Sequence, residues 1–344
     1  MDLNRNGKNQ DAAQLTVYSE FKGKSILIAG ATGLIGSSLV RRLLDAAEEE
    51  RPQEIILLVR NEAKAREKFQ NAQDHLTIIQ GEITDLPEIV QKADYIIHAA
   101  GQTSSKAFVE NPAEVILTNV LGTRNMLELA KIKNSKGFVY TSTMEVYGTP
   151  QTDEKITENH GCDLNTMKVR SSYPESKRAC EALCAAYASQ FGVPAKVIRL
   201  TQTFGPGVEY NDSRVFAEFA RCALEKRDIV LQTTGETKRS YLYTEDAVEA
   251  ILTVLVRGEA GEAYNAANEE TYCSIREMAE TVAKTFGKGQ VQVRIETGES
   301  EKSRGYAPVL HMNLDTEKLR KLGWQPMVGL TESYRGMLKD MQKR

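Results

Sequence analysis

The stretch KSILIAGATGLIG, residues 24–36, decides the fold. Its first half is an apolar run without polar alternation, which reads as a strand buried on both faces. It leads straight into Gly30, Gly33 and Gly36 and then into LIGSSLVRRLLDAAEEE, whose apolar positions recur at three- and four-residue intervals as on a helix. Strand, glycine turn and helix start together are the context a pyrophosphate needs. Gly30 permits a tight turn, Gly33 lets the backbone approach the phosphates, and Gly36 lets helix and strand pack closely. The helix start adds unpaired N–H groups and the positive end of its dipole. The spacing is GxxGxxG, one residue longer than the common GxGxxG.

Outward from this turn, EIILLVR (from Glu54), HLTIIQG (from His75), ADYIIHAA (from Ala93), KGFVYTS (from Lys136) and AKVIRLT (from Ala195) read as further buried strands. Helical patterns separate them, notably NPAEVILTNVLGTRNMLELAKIK and SYPESKRACEALCAAYASQF. Strict alternation of this kind implies a parallel sheet covered on both faces, because each parallel crossover lays its helix over the sheet. After Gly205 the rhythm breaks at FGPGVEYNDS, which marks a second, smaller lobe. The expected division is a polar tail or short peripheral helix over 1–20, a dinucleotide-binding domain over 21–205 plus about 238–260, and a lobe over about 206–237 plus 261–344. That lobe is expected to contain the strands DIVLQT and VQVRI and the helices from Val215, from Ser274 and at the C-terminus.

Composition narrows the function. The chain has 344 residues with 41 % hydrophobic content, enough for a full-sized core, and its 44 basic against 47 acidic residues leave no surplus charge for coating nucleic acid. Five cysteines without a CxxC pair read as reduced thiols in a cytoplasmic protein, and four scattered histidines offer no metal-ligand spacing. Cys180 and Cys184 read as packing residues and Trp324 as core. No run is long and apolar enough to span a bilayer, so no membrane role is expected.

Two features carry chemistry. The second strand ends in Val59-Arg60-Asn61, without the acidic residue that would accept a ribose 2′-hydroxyl. A guanidinium suits a 2′-phosphate, so Arg60 tilts the cofactor from NAD toward NADP. Further on, Tyr173-Pro174-Glu175-Ser176-Lys177 puts a phenol and an ammonium one helical turn apart on one face. A phenol that takes a proton from an alcohol near neutral pH must titrate well below its ordinary 10, and a neighbouring lysine cation favours the phenolate. Ser171 or Ser172 is expected to cap this helix, with Pro174 in its first turn.

Taken in order and spacing, GATGLIG, GEITD (Gly81 to Asp85), IIHAAG (Ile96 to Gly101), TNVLGTRNMLELA from Thr118, VYTSTMEVYG (Val139 to Gly148), YPESK and FGPG (Phe204 to Gly207) resemble the extended short-chain dehydrogenase/reductases that act on nucleotide sugars. The likeness covers about 300 residues, from Lys24 to Pro326. It implies a Rossmann-like, doubly wound α/β sheet with a smaller C-terminal α/β substrate lobe, and a bound NAD(P)+. The cofactor would be lined by Gly30, Thr32, Gly33, Leu34, Ile35, Gly36, Arg60, Glu82, Ile83, Ala99, Ala100 and Gly101, with Tyr173 and Lys177 at the nicotinamide end. The resemblance also makes Tyr173 the base, Lys177 its partner, and Thr143 the bridge to the sugar hydroxyl at carbon 4. Thr143 could equally cap the next element. Gln202, Arg214, Arg239 and Arg304 are the implied substrate contacts, Arg239 and Arg304 as a pyrophosphate clamp. A homodimer through the helices at 119–131 and 173–191 is implied as well.

Glu145 bears on the reaction. In the family's 4,6-dehydratases and UDP-glucuronate decarboxylases this position is Glu, because a ketone at carbon 4 acidifies the hydrogen at carbon 5 and a carboxylate can remove it. Met144 departs from both groups, since a thioether neither donates a proton nor holds a carboxylate. Decarboxylation is further disfavoured because HMNLD from His311 stands where those enzymes carry an arginine. Gln202 replaces the usual Asn. The leading expectation is therefore a 4,6-dehydratase-type elimination, in which Glu145 acts as both base and acid or water relays the proton. The alternatives are a 4-epimerase, a UDP-glucuronate decarboxylase, an NADPH-dependent ketosugar reductase, and a catalytically silent dinucleotide sensor.

Overall fold

The computed structural model describes residues 16–103, 106–297 and 309–343, without the side chains of residues 73 and 74. The first strand, β1 (Ser25–Ala29), is buried along its whole length and enters α1 (Leu34–Leu44) through the glycine turn. There follow β2 (Glu54–Val59), α2 (Glu62–Lys68), β3 (Leu76–Gln80), β4 (Tyr95–His98), α3 (Ala107–Glu110), α4 (Pro112–Ile132), β5 (Gly137–Thr143), α5 (Ser172–Phe191) and β6 (Ala195–Leu200). Side chains alternate between two cores, as a sheet covered on both faces requires. Ile26, Ile28, Ile55 and Leu57 pack toward α1, and Leu27, Ala29, Ile56 and Leu58 pack toward α4 and α5.

The smaller lobe begins with β7 (Gln202–Phe204) and continues through α6 (Val215–Glu225), β8 (Ile229–Leu231) and β9 (Lys238–Tyr243). The chain then runs through α7 (Thr244–Arg257) into β10 (Ala263–Ala266). It ends with β11 (Asn268–Ser274), α8 (Ile275–Phe286), β12 (Val293–Ile295), β13 (His311–Met312), α9 (Glu317–Arg320) and α10 (Leu330–Met341). The large sheet is all-parallel, in the order β10-β6-β5-β4-β1-β2-β3. In the lobe, β9 pairs with β11, β13 and β7, and β8 pairs with β12. The lobe has its own core, in which Phe204 stacks on Phe216 with ring centroids 4.7 Å apart and Tyr334 and Met337 fill the space behind.

The lobe boundaries fall differently from the expected ones. Strand β9, expected in the dinucleotide domain, lies in the small sheet, and β10, expected in the lobe, closes the large sheet by pairing Ala263 with Val197. After Gly258 the chain crosses back, and its last parallel neighbour is far away in sequence. Of the tail or short peripheral helix expected over 1–20, the described part is a short 3-10 helix, Val17–Phe21, with Val17, Tyr18 and Phe21 buried. Phe21 meets the Tyr95 ring edge-on at 5.3 Å, and Tyr18 donates to Glu249 at 2.7 Å. Its two aromatics join the apolar core between the sheet, α1 and α7, which outweighs the polar character of their neighbours. Cys180 and Cys184 are buried free thiols, and buried Trp324 donates to the Asp246 carbonyl at 3.0 Å. Among the described residues, no helix is long and apolar enough to cross a membrane.

Candidate active site

The glycine turn is built by close approach. Gly30 has φ +86°, and a Cβ there would fall 2.7 Å from Ala100 N and from Ala99 O, so β1 and β4 could not keep their spacing. A Cβ on Gly36 would lie 2.1 Å from Gly30 O, which ties the start of α1 to the turn. Gly33 is different. The nearest protein atom to a Cβ there is Gly30 O at 3.4 Å, so the missing side chain faces open space. Gly33 caps α1 without any side-chain bond, and the first turn, with Leu34 and Ile35, carries no acidic residue. The N–H groups of this turn are thus left for an anion. Thr32 O accepts from Lys68 Nζ at 3.0 Å.

The remaining expected cofactor residues surround this cradle. Arg60 is exposed at the end of β2, and its carbonyl accepts from Gln80 at 3.3 Å. Glu82 is exposed after β3, while the Ile83 side chain lies where a Cβ on Gly122 would meet it at 2.5 Å. Asn125 fixes that corner by donating to the carbonyls of Ile83 and Thr84 at 3.0 and 2.9 Å. Gly101 links the cradle to the catalytic group, since its Cβ would be 3.0 Å from Asn119 Oδ1 and 3.7 Å from Lys177 Nζ. Asn119 Oδ1 is buried with no hydrogen-bond partner among the described residues, while its amide donates to Ser176 at 2.9 Å. An open glycine face, bare helix N–H groups and an orphaned buried acceptor fit a nicotinamide dinucleotide.

Helix α5 begins at Ser172, so Tyr173 and Lys177 lie on adjacent turns facing β5. The expected cap is absent: Ser171 donates to Asn165 O at 2.7 Å and Ser172 to Phe108 O at 3.2 Å. Both hydroxyls anchor neighbouring segments, which fixes where the helix starts. Lys177 donates to Thr141 O at 2.9 Å, and its ammonium lies 4.6 Å from the Tyr140 ring centroid and 5.8 Å from that of Tyr173. Burial pushes the Lys177 ammonium down to about 8. The Tyr173 phenol is pushed well above its ordinary value, first by burial and then by the Glu145 charge, against a hydrogen bond from Thr143 and the cations Arg170 and Arg214. Sequence reasoning expected Lys177 to bring this phenol down. In the folded chain burial dominates, and the groups that oppose it are Thr143, Arg170 and Arg214.

Thr143 takes the capping role foreseen for it and lies beside the phenol. Its hydroxyl accepts from Glu145 N at 3.3 Å, capping the 3-10 turn Met144–Tyr147, and it also reaches the Tyr173 phenol. Glu145 is half-buried and ion-paired with Arg170 at 2.8 Å. Arg170 in turn lies 4.8 Å from the Phe108 ring centroid, and Phe108 stacks on Tyr173 at 4.2 Å and 12°. Met144 turns away into an apolar cluster with Ile156, Met312 and Leu314, where its sulfur accepts from Thr201 at 3.3 Å. Sequence reasoning missed Arg170, Phe108 and Asn119. Arg170, one turn before Tyr173, was findable; Phe108 carries no local signal.

On the substrate side, Arg239 donates to Gln202 Oε1 at 3.0 Å, so those two expected contacts come together. The Arg239 Nε is buried and without a partner among the described residues. Arg214 is held in a two-point grip by Asp212, with Nη2 to Oδ2 at 2.5 Å and Nε to Oδ1 at 2.9 Å. Arg304 lies outside the described residues. His311, where a carboxylate-binding arginine was looked for, faces Asp153 at 3.0 Å.

A model of the NAD dependent epimerase/dehydratase family matches residues 26–267. The chain belongs to that family. It is 32 % identical over 322 residues to UDP-glucuronic acid decarboxylase 6 of Arabidopsis thaliana, covering 93 % of this chain and 89 % of the relative. Among solved structures, a UDP-N-acetylglucosamine 4-epimerase from Methanobrevibacter ruminantium M1 superposes with a TM-score of 0.80 at 20 % identity, covering 94 % of this chain and 99 % of the other. A dTDP-glucose 4,6-dehydratase from Streptomyces venezuelae with NAD bound gives 0.77 at 24 % identity, covering 93 % and 97 %. These likenesses show the Rossmann-like, doubly wound α/β fold. The family is one of NAD-dependent enzymes that modify nucleotide sugars, so this family member is an enzyme.

Proposed function

We propose that this family member oxidises carbon 4 of a nucleotide-bound hexose and then removes the proton at carbon 5, as in a 4,6-dehydratase. The observation that carries the reading is the convergence of Thr143, Tyr173, Lys177 and Glu145 beside the open glycine cradle. A nicotinamide dinucleotide held by Gly30, Gly33, Gly36, Gly101 and Lys177 supplies the electron acceptor and, when oxidised, a positive charge that favours the phenolate. Tyr173 Oη takes the proton of the carbon 4 hydroxyl, and Thr143 orients that hydroxyl. Once carbon 4 is a ketone, the hydrogen at carbon 5 is acidic. Glu145, kept beside the Arg170 cation, takes that proton and returns it to the oxygen leaving carbon 6, because Met144 supplies no acid.

The burial of Met144 also favours a second reading, 4-epimerisation, which needs no acid at carbon 6. Decarboxylation, the activity named for the sequence relatives, has neither a hydroxyl at Met144 nor an arginine at His311 to support it. Arg60 supports NADP over NAD. Exposed Ile116, Leu117 and Leu121 on α4, with Phe191 on α5, support a homodimer through that face. The deciding experiment is proton NMR of UDP-, dTDP-, GDP- and CDP-hexoses incubated with the protein in deuterated water. Deuterium at carbon 5 with a new methyl signal establishes the elimination. Inversion at carbon 4 without exchange at carbon 5 overturns it in favour of the epimerase.

A further inference from the structure

The reaction proposed above asks two bases to work in one pocket. Tyr173 needs a negative charge to take the proton of the carbon 4 hydroxyl, and Glu145 needs one to take the proton at carbon 5. Two anions in one pocket repel, most strongly where water is excluded. Tyr173 is buried, and the Glu145 charge acts on its phenol. The elements packed around the phenol differ in the charge they bring. Strand β5 contributes the uncharged Thr143 and Tyr140. Phe108 of α3 and Val115 of α4 pack beside the ring, and the charged residues of α3, Lys106 and Glu110, pair with each other at 3.7 Å. Lys177 follows on the same helix, and Arg214, at the start of α6, is gripped by Asp212.

Arg170 is the cation that meets both bases. It sits in the 3-10 turn Val169–Ser171, just before Tyr173, and its Nη2 donates to Glu145 Oε2 at 2.8 Å. Its guanidinium carbon lies 4.8 Å from the centroid of the Phe108 ring, which itself stacks on Tyr173 at 4.2 Å. Ser171 and Ser172 anchor this turn to Asn165 O and Phe108 O, so Arg170 and Phe108 are placed together. The Arg170 and Glu145 side chains are 45 % and 34 % exposed, too open for their pairing to add much to the stability of the fold. We propose that Arg170 is a positioning residue that lets Tyr173 and Glu145 be negatively charged in the same pocket. The ion pair holds the Glu145 carboxylate, and the guanidinium offsets at the phenol the charge that Glu145 brings. The proposal rests on the carbon 4 oxidation read above, and it holds whether or not Glu145 then acts at carbon 5.

The test follows reduction of the bound dinucleotide, by the absorbance of the reduced nicotinamide, in single turnovers with the UDP-, dTDP-, GDP- and CDP-hexoses across a pH series. This half-reaction needs Tyr173 and not Glu145, and its acidic limb reports the fraction of phenolate. The chains are the parent, Arg170→Met, Arg170→Lys, Glu145→Gln and Arg170→Met/Glu145→Gln, with calorimetric dinucleotide binding as the check that each is folded. Arg170→Met should move the limb toward higher pH, slowing reduction about tenfold at a pH below it, as expected for loss of a nearby opposite charge. Arg170→Lys keeps the charge and should keep most of the rate. Removing both charges in Arg170→Met/Glu145→Gln should return the limb toward that of the parent. A uniform loss in Arg170→Met with the limb unmoved, or a double variant no better than Arg170→Met, overturns the proposal. A shifted limb in a chain that puts no deuterium on carbon 5 supports the role of Arg170 and overturns the elimination. A parent chain whose dinucleotide no hexose reduces overturns the oxidation reading and this proposal with it.

Discussion

The imidazole of His98 gives a quantitative test of the core beneath the site. His98 ends β4, is fully buried, and has its ring Nε2 within hydrogen-bond distance of Thr123 Oγ1 at 3.2 Å, while Nδ1 has no partner among the described residues. Burial, and secondarily the Lys177 charge, pushes its pKa from 6.5 down to about 3. The folded chain therefore keeps a neutral imidazole where the unfolded chain takes up a proton. Its stabilising contribution is whole above pH 6.5 and is lost as pH falls from 6.5 toward 3. At pH 5 the unfolded state gains about 2 kcal/mol from that protonation, a figure that hardly depends on the folded pKa so long as it lies well below 5. The perturbation is His98→Asn, with urea unfolding of parent and variant at pH 8 and pH 5 followed by circular dichroism. Because every other titrating group is common to both, the parent should lose about 2 kcal/mol more than the variant on going to pH 5. Equal losses, or an imidazole that titrates near 6.5 by NMR in the folded parent, would refute the reasoning.

Three further outcomes follow from the geometry. Tyr173→Phe keeps the stack on Phe108 but removes Oη, so turnover should fall by about 100-fold or more while dinucleotide affinity, read by calorimetry, stays within about twofold. Gly36→Ala puts a Cβ 2.1 Å from Gly30 O and should lower the melting temperature and abolish dinucleotide binding together; a variant that binds normally contradicts the packing described. Arg199 holds Glu181 at 2.6 Å and also reaches Tyr147 and the Glu158 carbonyl, so Arg199→Met should cost about 3 kcal/mol in urea unfolding by stranding a nearly buried carboxylate, and Arg199→Met/Glu181→Met should recover part of it.

The sequence by itself determined the alternation of buried strands and helices, the glycine turn, and the one-turn separation of Tyr173 and Lys177. These are local properties: a strand buried on both faces needs a continuous apolar run, a tight turn needs residues without a Cβ, and a helix sets its own spacing. Tertiary structure decided the rest. Strand β10 joined the large sheet and β9 the small one because pairing depends on where the chain returns, which no window of sequence records. Arg170 and Phe108 reached Glu145 and Tyr173 from separate segments. Above all, the proton affinities of the site were set by burial, which lowered Lys177 and raised Tyr173, where the spacing alone pointed down. Spacing fixes which two groups are neighbours. Desolvation depends on everything packed around them, and only the folded chain specifies that.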